Sequence, residues 1–91
     1  MQNRQKHEII RDILTVCNGG SIISRIMFHT YLTHGQTKQY LSELINLDLI
    51  ETDVFNSRKY FSTAKGLSYL ENLNAMADML SLDVRKAKIV V

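Results

Sequence analysis

The stretch that most constrains the fold is 32–47, LTHGQTKQYLSELINL, which predicts an amphipathic helix with a defined start. Thr33 is a favourable N-cap residue, and Gln36 stands at the spacing of a capping box. Apolar side chains then recur at helical spacing on one side of the helix, at Tyr40, Leu41, Leu44 and Ile45. We therefore expect this side to pack against a hydrophobic core.

The opposite side of the same helix is slim, uncharged near its start and rich in amides. It carries Gly35, Gln36, Gln39, Ser42, Glu43 and Asn46, with Lys38 on its flank. A glutamine amide can bond both edge atoms of an adenine, and a glycine lets a helix approach a groove closely. This face predicts a recognition helix for DNA, although an ordinary solvated face of an amphipathic helix shows the same pattern.

The charge distribution supports an anionic partner more than the net charge does. The 91 residues suffice for one small domain of ordinary globular composition, and a net charge of +2 is only a mild bias. However, no acidic residue lies between Asp12 and Glu43, or between Asp53 and Glu71. Basic residues lie within both acid-free windows: Arg25 and Lys38 in the first, Arg58, Lys59 and Lys65 in the second.

The compartment follows from what the sequence contains and lacks. A single cysteine, Cys17, excludes an internal disulfide and is consistent with a reducing compartment. No apolar run reaches membrane-spanning length, and the N-terminus lacks the apolar core of a signal peptide. We expect a cytoplasmic protein with no membrane partner.

Two further helices are predicted before the recognition helix. The first, at about 4–17, has an apolar stripe made of Ile9, Ile10, Ile13, Leu14 and Cys17. Asn18-Gly19-Gly20 ends it, and Ser21 can cap a second helix that reaches about His29. The core face of this second helix consists of Ile23, Ile26 and Met27. With a break at 30–33, the second and third helices follow the helix-turn-helix plan.

A β-hairpin is predicted directly after the third helix, where it forms a wing. Residues 49–55 alternate between apolar and polar, 56–57 form a plausible turn, and 58–62 read as the return strand. The tip carries Arg58 and Lys59, both expected to be exposed and to contact phosphates. The alternative is a solvated hairpin edge whose charges resist aggregation.

The last helix, which Thr63 can cap, has a sustained heptad seam. The seam positions are Gly66, Leu70, Leu73, Ala77, Leu80, Val84 and Ala87. A helix of roughly 22 residues is about 33 Å long, more than the preceding domain can cover. We expect a second copy to bury Leu70, Leu73, Ala77, Leu80 and Val84. The alternative is a helix folded back on its own domain.

The order of elements resembles the winged helix-turn-helix proteins of archaea, and in particular the Sulfolobus 10a type. Three segments carry the resemblance: KHEIIRDIL at 6–14, RIMFHTYLTHGQTKQYLSELINLDLI at 25–50 and KYFSTAKGLSYLE at 59–71. The resemblance implies a mainly α (α+β) fold, with a winged domain at 1–63 and a coiled-coil dimerisation helix at 64–91. It also implies a nucleoid-associated homodimer with antiparallel last helices, which binds double-stranded DNA in transcription regulation or chromatin organisation.

The predicted DNA contacts lie on the second and third helices and on the wing. They are Arg25, His34, Gln36, Lys38, Gln39, Ser42, Arg58 and Lys59. For His34, an inert surface position is an equal alternative to a phosphate contact. For the whole chain, the rival function is a protein-interaction module without DNA binding, because winged helices also serve as docking domains and fold does not fix function.

Catalytic chemistry is not predicted. No serine lies in a nucleophile motif, and Gly19-Gly20 follows a helix rather than the strand of a phosphate-binding loop. His29 and His34 have no further ligands at metal-binding spacing, and Cys17 lies on an apolar stripe. The sequence therefore predicts no enzyme activity, no metal and no cofactor.

Overall fold

The structure is a computed structural model that describes the backbone of residues 5–90 and the side chains of residues 5–80. Its elements in chain order are α1 (Lys6–Val16), β1 (Ser21–Ile22), α2 (Ile23–Thr30), α3 (His34–Asn46), β2 (Ile50–Thr52), β3 (Lys59–Ser62) and α4 (Ala64–Val90). Helices surround a core next to a three-stranded antiparallel sheet of order β1-β3-β2. This is the mainly α, winged architecture expected from the sequence. No helix within the described residues is long and apolar enough to cross a membrane.

The core is formed by one face of each of the first three helices and by the start of the wing. Its buried apolar members are Ile10, Ile13, Leu14, Cys17, Ile26, Leu41, Leu44, Leu49 and Ile50. The predicted stripe of α1 is confirmed, and the helix ends where Gly19 and Gly20 adopt φ values of +92° and +99°. A side chain at Gly20 would also collide with the Phe61 ring, so this turn requires a glycine.

The cap predicted at Ser21 is wrong, because Ser21 belongs to a strand. Ser21 pairs with Tyr60 of β3, and its hydroxyl donates a hydrogen bond to the carbonyl oxygen of Val16, 2.7 Å away. Ile22 occupies the N-cap of α2 and makes no side-chain cap bond. The strand connects the start of α2 to the sheet through its pairing with β3.

The capping box predicted for α3 is confirmed. The backbone N–H of Gln36 donates to Thr33 Oγ1 at 3.1 Å, and the backbone N–H of Thr33 donates to Gln36 Oε1 at 3.0 Å. The predicted core face needs one correction, because Thr37 is fully buried whereas Ile45 is 39% exposed. Thr37 can be buried because its hydroxyl donates to the carbonyl oxygen of Thr33.

The wing is shorter than predicted, since β2 covers only Ile50–Thr52 and β3 begins at Lys59 rather than at Arg58. The two strands pair with Ile50 opposite Ser62 and Thr52 opposite Tyr60. Residues 53–58 therefore form a loop that projects from the sheet.

The start of α4 is locked to the base of the wing. As predicted, Thr63 caps this helix, since its hydroxyl accepts the Gly66 N–H at 2.9 Å. The same hydroxyl donates to the carbonyl oxygen of Asp48, and a Cβ at Gly66 would overlap the carbonyl oxygen of Leu49. The helix spans 27 residues, so the predicted length of roughly 22 was too short.

Candidate nucleic-acid interface

The outer face of α3 is exposed as the sequence predicts, because burial of Thr37, Leu41 and Leu44 fixes the rotation of the helix. The side chains on this face and its flank are all exposed: His34, Gln36, Lys38, Gln39, Ser42, Glu43 and Asn46. Their Cα positions are set by a helix that is capped at its start and anchored on the core. Such a surface changes little on binding, which suits hydrogen bonding to a partner of fixed geometry.

The only acidic residue of α3, Glu43, is paired with a lysine of α1. Lys6 Nζ lies 3.0 Å from Glu43 Oε1, and both side chains remain largely in solvent. The hydrogen bond to Glu43 and its negative charge raise the pKa of Lys6 above its ordinary value. The pair reduces the negative potential of the one carboxylate on this face, which would otherwise repel an anion.

The wing loop is held in shape by two side-chain turns. Asp53 Oδ1 accepts the N–H of Phe55 at 3.0 Å, and Asn56 Oδ1 accepts the N–H of Arg58 at 3.1 Å. Backbone bonds from Asp53 N to Lys59 O and from Lys59 N to Asn56 O, both 3.0 Å, close the loop. The loop is thus an ordered projection that presents Arg58 in a defined position.

The two cations of the wing differ in exposure. Arg58 is exposed, as predicted, but Lys59 is half-buried and the prediction that it is exposed was wrong. The alkyl stem of Lys59 lies close to Gly20, and its ammonium lies 5.7 Å from the centre of the Phe61 ring. Lys59 therefore combines a packing role with its positive charge.

A groove of about 560 Å³ separates α3 from the wing, with the start of α2 at its end. Its lining consists of Ile22, Ile23, Ser24, His34, Lys38, Ser57, Arg58 and Tyr60. Three predicted contact residues from two parts of the chain meet here, His34 and Lys38 on α3 and Arg58 on the wing. Two aliphatic side chains and three side chains with hydroxyl groups complete the lining, and no acidic residue belongs to it. The groove can hold an anion along a path bordered by basic and hydroxyl groups.

The structure adds groove residues that sequence reasoning did not select as contacts. Ser24, Ser57 and Tyr60 supply hydroxyl groups beside the three basic side chains. The other predicted contact residues lie outside the groove lining, on exposed α3 (Gln36, Gln39, Ser42), on exposed α2 (Arg25) and on β3 (Lys59). The position of Ser24 in an acid-free window was the only sequence signal that pointed to it.

Titratable groups elsewhere in the described residues do not form a metal site, since no three His, Cys, Asp or Glu side chains lie together there. Cys17 is buried, and the loss of hydration raises its pKa to about 12. Its thiol is therefore protonated at neutral pH and serves as a small apolar core group.

The predicted dimer seam runs from the core into solvent along α4. Leu70 packs against the core of its own chain, Leu73 and Ala77 are half-buried, and Leu80 is 64% exposed. Val84 lies outside the residues whose side chains are described. Met76 and Met79 widen the exposed apolar surface around Leu80, so the described part of the chain leaves this stretch of α4 uncovered.

The chain belongs to the winged helix-turn-helix family, whose model matches residues 3–81. Among solved structures, it is similar to the crystal structure of Sso10a-2, a DNA-binding protein from Sulfolobus solfataricus. The two share 24% sequence identity over 97% of each chain, with a TM-score of 0.73. The similarity to the Sulfolobus 10a type predicted from the sequence is thus confirmed at the level of the fold. No curated protein sequence matches the chain at a significant level.

Proposed function

We propose that this protein binds double-stranded DNA through α3 and the wing. The observation that carries the proposal is the groove in which His34, Lys38 and Arg58 converge beside an exposed, amide-rich helix face. A winged helix presents such a face to the major groove, and cations next to it can neutralise phosphates. The fold shared with Sso10a-2, which is a DNA-binding protein, supports the same function.

In this mechanism the outer face of α3 contacts the bases, and the groove between α3 and the wing contacts the phosphates. Gln36, Gln39 and Ser42 hydrogen-bond to base edges in the major groove. The phosphate backbone follows the groove between α3 and the wing, where Lys38 and Arg58 neutralise it and nearby hydroxyl groups donate to its oxygens. His34 contributes a further donor at the same place. Arg25 on α2 and Lys59 on β3 add charge at the edges of this surface.

The distal half of α4 is proposed to form a homodimer with a second copy. Leu73, Ala77 and Leu80, with Val84 as their continuation, lie on one heptad seam, and none of the residues that the structure describes covers the exposed Leu80. The antiparallel arrangement follows from the resemblance to the Sulfolobus 10a type. At 1.5 Å per residue, the 27 residues of α4 extend about 40 Å, which places the two recognition helices far enough apart for separate half-sites or two duplexes.

The biological role that fits this arrangement is archaeal-type transcription regulation or chromatin organisation by a cytoplasmic, nucleoid-associated protein. In this proposal, residues 1–63 form the DNA-binding unit and residues 64–91 the dimerisation helix, although the first turns of α4 also contribute to the core.

A duplex-binding titration at low and moderate salt tests the proposed function. We expect binding that weakens steeply as salt rises, because phosphate neutralisation releases counterions. Absence of binding even at low salt would reject DNA as the partner. It would then favour a protein-interaction module, for which the exposed Phe28 (76%) and Tyr31 (90%) at the end of α2 supply an apolar surface.

The dimer is tested by Leu80→Lys in sedimentation or light scattering. A charge on the proposed seam should convert the dimer to monomers, because a lysine cannot be buried there without a partner. Ala75→Lys makes the same charge change at an exposed position on the opposite side of α4 and should remain dimeric. If Leu80→Lys stays dimeric and stable, the interface lies elsewhere.

A further inference from the structure

The tip of the wing is apolar, which the charges on its flank do not explain. Phe55 is 97% exposed and Val54 is 90% exposed, so neither side chain contributes to the core of its own domain. Single exposed apolar residues are common, but a nearly fully exposed aromatic ring at the end of a projecting loop faces water at a cost unless a partner covers it.

The loop fixes the backbone of Phe55, and so the place from which its ring projects, before any partner binds. The Phe55 backbone N–H donates to the carboxylate of Asp53, and the next turn is fixed by Asn56. The backbone bonds between Asp53 and Lys59 close the base of the loop. An ordered loop loses little conformational entropy on binding. Little of the free energy gained by burying Phe55 in a partner would therefore be offset by ordering the loop.

Size and charge decide what kind of partner fits the tip. Val54 and Phe55 alone are much smaller than the roughly 800 Å² that each protein contributes to a stable protein–protein interface. The residues that follow them include Arg58, and this arginine borders the groove proposed to hold a phosphate backbone. An apolar side chain beside a phosphate-binding cation suits the stacked bases of a duplex better than a second protein surface.

We propose that Phe55 is a wedge that inserts between adjacent base pairs from the minor groove and kinks the duplex. This inference rests on the proposed DNA binding and extends it to the shape of the bound DNA. Pyrimidine–purine steps such as TA unstack most readily, so they are the expected insertion points. Inserted apolar side chains bend DNA by about 20–90° towards the major groove, which would let the duplex contact both the wing and α3.

The experiment uses the full chain and a duplex that carries 2-aminopurine at a central TA step and a fluorescent donor and acceptor at its ends. With the unmodified protein we expect a rise in 2-aminopurine emission, which reports unstacking, and an increase in energy transfer, which reports bending. In Phe55→Ala both signals should fall to those of free DNA, and affinity should drop at least about fivefold, the lower range for loss of one base-stacking contact. Phe28→Ala, the matched control, should keep both signals.

Several outcomes would overturn the wedge and remain distinguishable from a failure of DNA binding. If the unmodified protein binds the duplex without unstacking it, or if Phe55→Ala unstacks it equally, the wedge is wrong while the proposed function stands. A change in sedimentation of Phe55→Ala would instead assign the tip to a protein contact. If the unmodified protein binds no duplex at all, the proposed function fails and the wedge fails with it. Circular dichroism checks that Phe55→Ala is folded, as its exposure predicts.

Discussion

The third helix and the wing border the same groove, but they are positioned by different means. The side chains of α3 are held in place by a buried opposite face and by the capping box of Thr33 and Gln36. The wing loop contributes no residue to the buried core, and its shape comes from the local turns at Asp53 and Asn56. The position of α3 is therefore set by packing on the core, whereas the shape of the wing tip is set by hydrogen bonds within the loop.

The two regions also differ in chemistry. The outer face of α3 offers amides and a hydroxyl, and its one carboxylate is paired with Lys6. The wing offers Arg58, Lys59 and an exposed phenyl ring. Amides read base edges, whereas cations and wedges act on the backbone and on DNA shape. We therefore expect that changes to the amides of α3 alter sequence preference and that changes to the wing charges alter affinity for every sequence.

The largest loss of stability is expected from a change at Gly66, which packs against Leu49 between α3 and the wing. Gly66→Ala places a methyl group against the carbonyl oxygen of Leu49, which is backbone and cannot rotate away. We expect the free energy of unfolding to fall by about 3 kcal/mol, the upper range for overpacking. Denaturant unfolding monitored by circular dichroism measures it.

Gly35→Ala is the matched control for this change. Nothing lies within 4 Å of a Cβ at Gly35, which sits in the first turn of α3. Its stability should change by less than about 1 kcal/mol, in the stabilising direction. Equal losses in both variants would show that Gly66 does not lock α4 to the wing.

The next largest effect belongs to the wing charges. Arg58→Ala combined with Lys59→Ala should weaken binding to all duplexes alike, by about tenfold or more at 0.1 M salt, and reduce the salt slope by roughly one to two units. Salt-dependent binding titrations on unrelated duplexes provide the measurement. Lys65→Ala, a lysine outside the groove, is the control and should leave the slope unchanged. An unchanged affinity in the double variant would remove the wing from the mechanism.

A smaller and more selective effect is expected on α3. Gln39→Ala should reduce discrimination among sequences by about 1 kcal/mol, because an amide that bonds a base edge is lost. Asn72→Ala removes an exposed amide from α4, outside the recognition face, and serves as the control. Competition binding on a panel of duplexes measures the sequence preference of each variant. A uniform loss over all sequences would make Gln39 a backbone contact.

The smallest effect concerns the carboxylate on α3. Lys6→Ala leaves Glu43 unpaired beside the proposed DNA surface, so affinity should fall roughly twofold at low salt and less at high salt. Adding Glu43→Gln should restore the affinity by removing the charge. If the double variant binds as weakly as Lys6→Ala, then Lys6 contacts DNA itself instead of shielding Glu43.

The parts of the fold that the sequence predicted are those encoded locally. The capping box of α3, the glycine stop after α1 and the cap at Thr63 each depend on residues within a few positions. The wrong cap at Ser21 comes from long-range pairing. Strand β1 at Ser21–Ile22 exists only because β3 lies beside it. A pattern of two residues is too short to predict this pairing.

The candidate site shows the same limit. Exposure of Gln36, Lys38 and Gln39 follows from helical periodicity and was predictable. The groove was not, because it needs the relative placement of α2, α3 and the wing, and Ser24 and Tyr60 reach it only through that placement. Phe55 was predicted to lie in a strand, but the strand ends at Thr52 and leaves the ring in solvent.

DNA binding through α3 and the wing is tested most directly by an NMR titration of isotopically labelled protein with a short duplex at low salt. We expect the largest amide shifts in two segments, 34–42 of α3 and 53–59 of the wing, with smaller changes at the start of α2. Shifts confined to the region around Phe28 and Tyr31 or to α4 would contradict it, and so would spectra that do not change.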